Sequence, residues 1–180
     1  MLSHLRSTDN GVFMKVELAV YEIYMAAIVG MRRRISIMAK TGFKNTNKTH
    51  SKDFGWHTDI EAACAEMAAA KFLGTYWDYS VDTFKVPDVG GIQVRHTAYD
   101  TGCLVIRDAD SNDEIFLLVT GSSPEYFIRG WVTGYSGKKD EYLRYQDTPG
   151  GEAWFVPQES LRNPMELNKN DKGEGSANQN

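Results

Sequence analysis

The stretch that decides the fold is Val86-Pro-Asp-Val-Gly-Gly-Ile-Gln-Val-Arg-His-Thr97. Pro87-Asp88 followed by Gly90-Gly91 signals a tight turn, and the residues after it have the alternation and the β-branched content of a half-buried strand over Ile92 to Thr97. Strand side chains alternate between faces, so Gln93 and Arg95 share one face and His96 points to the other. With Asp88 at the turn, an acid, an amide and a guanidinium gather on one side of a hairpin.

On the N-terminal side lies the best-defined helix. Thr58-Asp-Ile-Glu61 is a capping box, in which the threonine hydroxyl and the glutamate carboxylate each satisfy a backbone N–H of the first turn. Good helix formers continue to Leu73, and Gly74 is the expected stop. Ala62, Ala63, Ala65, Ala68, Ala69 and Ala70 let this helix come close to a neighbour, as a helix lying flat on a sheet must. Packed across the hairpin, it would bring Glu66 to the same spot as Asp88, Gln93 and Arg95. Further out, residues 41 to 56 are polar and read as a loop. Apolar residues at helical spacing from Phe13 to about Ala39 (Val16, Val20, Ile23, Ala27) predict a long helix, preceded by a loose lead-in over 1 to 11.

On the C-terminal side the period changes to two. Strands are expected at Val81 to Val86, Ile92 to Thr97, Leu104 to Arg107, Ile115 to Thr120 and Tyr126 to Thr133, with turn signals between them. Their short connections predict a largely antiparallel meander in which 104 to 120 is a hairpin. Residues 135 to 152 read as loop, Trp154-Phe-Val-Pro157 as a short docking segment, and 166 to 180 as a polar tail disordered by composition. The expected architecture is one α/β (α+β) domain over 1–165, with an N-terminal helix over 13–39 added to a core over 57–135.

Composition sets bounds on function. A chain of 180 residues buries roughly 70% of its unfolded surface, enough to fold without disulfides or a structural metal. Cys64 and Cys103 are too few for a disulfide framework or a cysteine-rich zinc site and point to a reducing compartment. The apolar run from Val16 to Val29 is broken by Glu17 and Glu22, too short and too charged to span a bilayer. The net charge of −4 hides a split: residues 1 to 58 hold nine Lys/Arg against four acids, and the rest eleven against twenty. The basic excess includes Arg32, Arg33, Arg34, Lys44, Lys48 and Lys52, an expected footprint for a phosphate backbone that also suits a helix C-terminus and a solvated loop.

The order of a helix acid (Glu66), Pro87-Asp88, a glycine turn and Gln93-Val94-Arg95 resembles the PD-(D/E)XK nuclease superfamily, over roughly residues 56 to 135. With Gly130-Trp131-Val132, the surrounding blocks are similar to small phage-encoded proteins of that kind. The resemblance implies a restriction-endonuclease-like core of a mixed, largely antiparallel sheet flanked by helices. It implies metal-dependent hydrolysis of DNA phosphodiester bonds in the cytoplasm of an infected bacterial host. Glu66, Asp88 and Gln93 would hold Mg²⁺ or Mn²⁺, and Arg95 would stand where the family has lysine. Two departures are chemical. Glutamine removes one negative charge from the ligand set, and arginine keeps the cation but does not readily release a proton. The gap from Asp88 to Gln93 is short, so Asp82 is a rival first ligand, and Lys85 or Lys71 could take the lysine's place. The alternative is a nuclease-like protein, weak or inactive in catalysis, that binds DNA or a host protein; a homodimer is left open.

Other signals carry less. Asp108-Ala-Asp110-Ser-Asn112-Asp-Glu114 begins like an EF-hand loop but has Asp113 at the glycine position, so an acidic turn is expected. His50, His57 and His96 lack metal-ligand spacing, both cysteines read as small buried residues, and the four tryptophans as packing, with Trp56 and Tyr76 placed to stack on a base.

Overall fold

A computed structural model describes residues 5–8, 11–40, 54–77, 79, 87–145 and 152–169. The order of elements is β1 (Leu5–Thr8), β2 (Gly11–Glu17), α1 (Val20–Lys40), α2 (Phe54–Leu73), β3 (Ile92–Thr97), β4 (Leu104–Arg107), β5 (Ile115–Ser122) and β6 (Glu125–Thr133). They are followed by α3 (Gly134–Gly137), β7 (Leu143–Tyr145), β8 (Glu152–Val156) and α4 (Met165–Lys169). The protein is α+β. Five strands form a sheet in the order β1-β2-β6-β5-β3, and three form a second in the order β4-β8-β7.

α2 lies across the larger sheet, touching β2, β3, β5 and β6. Ala63, Ala65, Ala68 and Ala69 are fully buried beneath it, and Ile92, Val94, Leu117, Val119 and Ile128 meet them from the strands. Alanine permits this approach because its side chain ends at Cβ, and the same logic holds between helices. A Cβ on Gly30 of α1 would come within 2.6 Å of the Asp59 carbonyl oxygen and the Ile60 Cα. The sheet's other face carries Phe116, Leu118 and Val132, which pack with Leu104, Ile106 and Val156 of the smaller sheet as a second core. Period-two alternation along β5 therefore feeds two cores, one on each side.

The sequence reading needs five corrections. Residues 13 to 17 belong to β2, whose Met14 and Val16 turn inward while it pairs antiparallel with β6, so the N-terminal helix starts at Val20. The helical spacing there came from an apolar strand running into an apolar helix. Leu5–Thr8 is a strand rather than lead-in, extending the same sheet. Residues 104 to 120 are not a hairpin: β4 leaves to pair antiparallel with β8, and β5 returns parallel to β3. The segment read as loop contains α3 and β7, the docking segment at Trp154 to Pro157 is largely strand β8, and Met165–Lys169 at the start of the tail is helical; the expected strand over 81–86 and residues 170–180 of the tail lie outside the described residues. Helix α2 already runs from Phe54, through the end of the segment read as loop, so Thr58 is inside it and is not its cap; Glu61 instead accepts from the Ser123 N–H and the Tyr126 hydroxyl. The β3 and β4 limits agree, as does the stop at Gly74, whose φ of 67° suits a residue without a side chain.

Candidate functional site

The turn before β3 is closed by an antiparallel bridge between Val89 and Ile92, with Gly90 and Gly91 at φ of 54° and 84°. Both glycines occupy the left-handed region that a side chain would penalise. This turn carries Asp88 along the open edge of β3, where its Oδ2 accepts the Val94 N–H at 2.8 Å. A strand edge leaves such N–H groups unpaired, and the carboxylate satisfies one of them.

Glu66 is on the α2 side of the sheet, 5% exposed. Its carboxylate receives a fork from Arg33 of α1: Nη1 donates to Oε1 at 2.5 Å and Nη2 to Oε2 at 2.8 Å. Trp77 Nε1 donates a third bond to Oε2 at 3.1 Å. Burial works to lower the Arg33 pKa, but the Glu66 carboxylate more than offsets it and the guanidinium titrates above its ordinary range. Asp88 has no such fork. Burial, and then repulsion from Glu66, push its carboxyl up to about 6, against the opposing pull of the Val94 N–H, Arg33 and Arg95.

Gln93 and Arg95 share a face, as alternation predicts, but it is the face opposite Glu66. In the β3–β5 register they stand beside Phe116 and Leu118, whereas Val94 stands beside Leu117 on the α2 side. The Arg95 guanidinium lies 5.0 Å over the Phe116 ring, donates from Nε to the Val105 carbonyl at 3.1 Å and from Nη2 to Asp110 Oδ2 at 2.8 Å. Asp110 also accepts the Arg107 N–H at 2.8 Å, so the acidic turn expected at 108 to 114 holds Arg95 in place. The structure brings together Glu66 and Asp88, with Arg33, and directs Gln93 and Arg95 elsewhere.

That bears on the metal which the resemblance implies. Both Glu66 oxygens already accept N–H donors, Gln93 is on the other face, and Asp88 is left as one carboxylate with a free oxygen. Among the described residues no three His, Cys, Asp or Glu side chains stand together as metal ligands. As arranged, these residues do not make the implied ligand set. Of the alternates, Lys71 is committed to Glu22 at 2.6 Å and to the Glu17 carbonyl at 2.9 Å, and Asp82 and Lys85 lie outside the described residues.

The expected phosphate footprint is also changed. Arg33 holds Glu66, and Arg34 Nε forms an ion pair with Asp59 Oδ2 at 2.7 Å. Arg32 is exposed, while Lys44, Lys48 and Lys52 fall outside the described residues. His96 points away from Arg95, as expected. It packs against the Tyr126 ring, Nε2 lies 2.9 Å from the Gly121 carbonyl, and burial lowers its pKa. Cys64 is fully buried, and burial raises its thiol pKa, which suits a packing residue rather than a nucleophile. Trp77 is buried, as a packing residue should be, and Tyr76 is 74% exposed.

No protein-family model matches the chain, and neither a curated protein nor a solved structure does.

Where Arg95 points, there is a cavity. It has a volume near 660 Å³ and lies between the edge of the larger sheet and the smaller sheet. Arg95, Thr97, Tyr99, Cys103, Arg107 and Phe155 are among the residues that line it. No acidic side chain is among its described lining residues, although the chain as a whole carries a charge of −4. Sequence reading placed Arg33 in the phosphate footprint and Trp77 in packing, not on Glu66, and it did not single out Arg107. Arg33 had a signal, because it falls on the same helical stripe as Glu22, Ala26, Val29 and Gly30, the buried residues of α1. Arg107 had none, since its place depends on β4 leaving for the second sheet.

Proposed function

We propose that this chain is a nuclease-like binding protein that holds nucleic acid without metal-dependent hydrolysis. The observation that carries the reading is the cavity at Arg95 and Arg107, cationic within an acidic chain and bordered by the aromatic rings of Tyr99 and Phe155. Guanidinium groups recognise phosphate by paired N–H donors, and aromatic rings offer stacking surfaces to unpaired bases. Arg95 is already oriented by Asp110, so it is presented in fixed geometry. Arg107 is exposed and supplies the second cation. The ordered set Glu66, Pro87-Asp88, Gln93, Arg95 supports a nuclease-like origin, while the Arg33 fork on Glu66 argues for a structural use of the old acid.

The test is fluorescence anisotropy with labelled single- and double-stranded oligonucleotides across a salt series. Binding that weakens several-fold in Arg107→Gln, with a salt slope smaller by about one, supports the proposal. Absence of binding at low salt would overturn it and leave a host protein as the partner to seek. A metal-dependent deoxyribonuclease is the second reading, favoured by the Asp88 carboxyl at about 6 beside Glu66, a repulsion that a divalent cation would relieve. Incubation of supercoiled DNA with Mg²⁺ or Mn²⁺ separates the two: cleavage abolished by Asp88→Ala would favour the second.

A further inference from the structure

The outer face of the three-stranded sheet continues the cavity. Residues paired directly across an antiparallel sheet put their side chains on the same face. Leu104, Ile106, Trp154 and Val156 face the second core, so alternation turns Val105, Arg107, Ala153 and Phe155 to the opposite face, and all four line the cavity. Ala153 pairs with Arg107 of β4 on one side and with Arg144 of β7 on the other. This row runs from the cavity wall to the edge strand β7, with its two arginines two strand spacings apart, about 10 Å. The only acid of β8, Glu152, pairs with Tyr145 and belongs to the other face by alternation.

Neither arginine has spent its charge. Both are exposed, and among the described residues neither forms an ion pair; Arg144 Nη1 donates only to the backbone carbonyls of Glu141 and Leu143, at 3.0 and 2.8 Å. Arg33, Arg34, Arg95, Arg129 and Arg162, by contrast, each hold an acid. Size then separates paired from unpaired ligands. A volume near 660 Å³ is that of a small-ligand pocket, about 300–1,000 Å³, with room for one nucleotide. A duplex keeps its bases stacked and shows only their edges in the grooves, so a base that reaches Phe155 is unpaired. Arg144 is outside the cavity, where the phosphates that follow such a base would run.

We infer that the cavity and the outer face of the three-stranded sheet form one track for a single strand of nucleic acid. An unpaired base enters the cavity beside Tyr99 and Phe155, and the adjoining phosphates lie on Arg107 and Arg144. This deepens the nucleic-acid reading above and rests on it; Arg144 is the residue it adds. Anisotropy with a labelled oligonucleotide, single-stranded and as its duplex, tests it. The single strand should bind at least about tenfold more tightly, because the duplex must first unpair a base. Arg144→Gln should weaken single-strand binding several-fold and reduce the salt slope by about 0.7, the share of one phosphate contact, with an unchanged melting curve. The wild-type chain supplies a second readout. Cys103 lines the cavity and Cys64 is fully buried, so iodoacetamide labelling of the native protein reports on the cavity, and saturating single strand should slow it several-fold. Equal affinity for the duplex, or an Arg144→Gln chain that binds like the wild type, would overturn the track while leaving nucleic-acid binding through Arg107 in place. A bound strand that leaves Cys103 fully reactive, or a deoxynucleoside monophosphate that displaces the strand at equal concentration, would overturn it too. Absence of binding by either form at low salt would remove both readings.

Discussion

The two faces of the five-stranded sheet treat charge in opposite ways. On the α2 face, Glu66 is sealed by two N–H groups of Arg33 and one of Trp77, and Glu61 accepts the Tyr126 hydroxyl at 2.7 Å and the Ser123 N–H at 3.1 Å. Acids there are embedded among alanines, 8% exposed or less. On the other face, Arg95 stacks on Phe116 at the wall of a cavity and Arg107 extends into solvent. Charge on the first face is consumed internally; on the second, Arg95 is paired with Asp110 at the cavity wall and Arg107 is exposed to a ligand. One sheet can do both because alternation hands every second residue of β3 to each side, and Asp88 at the strand edge senses the charges of both.

If this contrast is right, the largest effect comes from breaking the sealed pair. Arg33→Ala leaves the Glu66 carboxylate buried beside Asp88 without its counter-charge. That should destabilise the fold by about 3–5 kcal/mol in chemical denaturation, the usual cost of orphaning one member of a buried pair. A double variant Arg33→Met/Glu66→Met should recover much of the loss, since removing both charges leaves no orphan. A drop of less than 1 kcal/mol for Arg33→Ala would show that the α2 face is not sealed as described.

The next effect has a pH signature. Asp88 titrates at about 6 in the folded chain against 3.8 for a free aspartate. Its folded pKa is raised, so its contribution to stability is complete below about pH 4 and is lost as pH rises through 6, where folding must carry a buried charge. The loss is on the order of 3 kcal/mol at most. Asp88→Asn does not titrate and retains an oxygen that can accept the Val94 N–H. The variant should match the wild type near pH 4 and exceed it in stability at pH 8. Denaturation at the two pH values checks this, and a variant less stable at pH 8 would mean that the charge itself is needed there.

How much of this contrast was legible in advance depends on the distance over which each signal acts. The alanine run, the Gly90-Gly91 turn and the strand over 92 to 97 are local, and the structure follows them; the capping box is local too, but α2 begins at Phe54 and Glu61 is drawn to Ser123 and Tyr126 of the sheet. The shared face of Gln93 and Arg95 was also legible, because alternation is intrinsic to a strand. Which core that face meets was not, since the answer rests on β5 pairing parallel to β3 and β4 pairing with β8 some fifty residues away. The convergence of Glu66 with Gln93 failed for that reason. The helix acid and the strand triplet were read in the right order, but order does not fix the side of the sheet. Arg33 was read as part of a phosphate footprint because a run of three arginines looks solvated, although two of the three turn back into ion pairs.

A smaller effect distinguishes positioning from sealing on the cavity face. Asp110→Ala removes the acceptor for Arg95 Nη2 and for the Arg107 N–H, both partly open to solvent. The expected cost is about 1–2 kcal/mol, well under that of Arg33→Ala, because water can replace what is lost. Nucleic-acid affinity should fall at the same time, as Arg95 loses its fixed orientation.

The smallest expected change in stability is the most discriminating. Arg107 is exposed at the end of β4, and its side chain supports nothing in the core, so Arg107→Gln should leave the free energy of unfolding within about 0.5 kcal/mol. Its long-range charge is what the variant removes, and affinity for an oligonucleotide should drop several-fold with a weaker dependence on salt. The same substitution read both ways separates the two faces: on the α2 side a lost arginine is felt by the fold, and on the cavity side only by the ligand. Should Arg107→Gln unfold the protein as readily as Arg33→Ala, the cavity would be part of the scaffold, and the basis for assigning it a ligand would be gone.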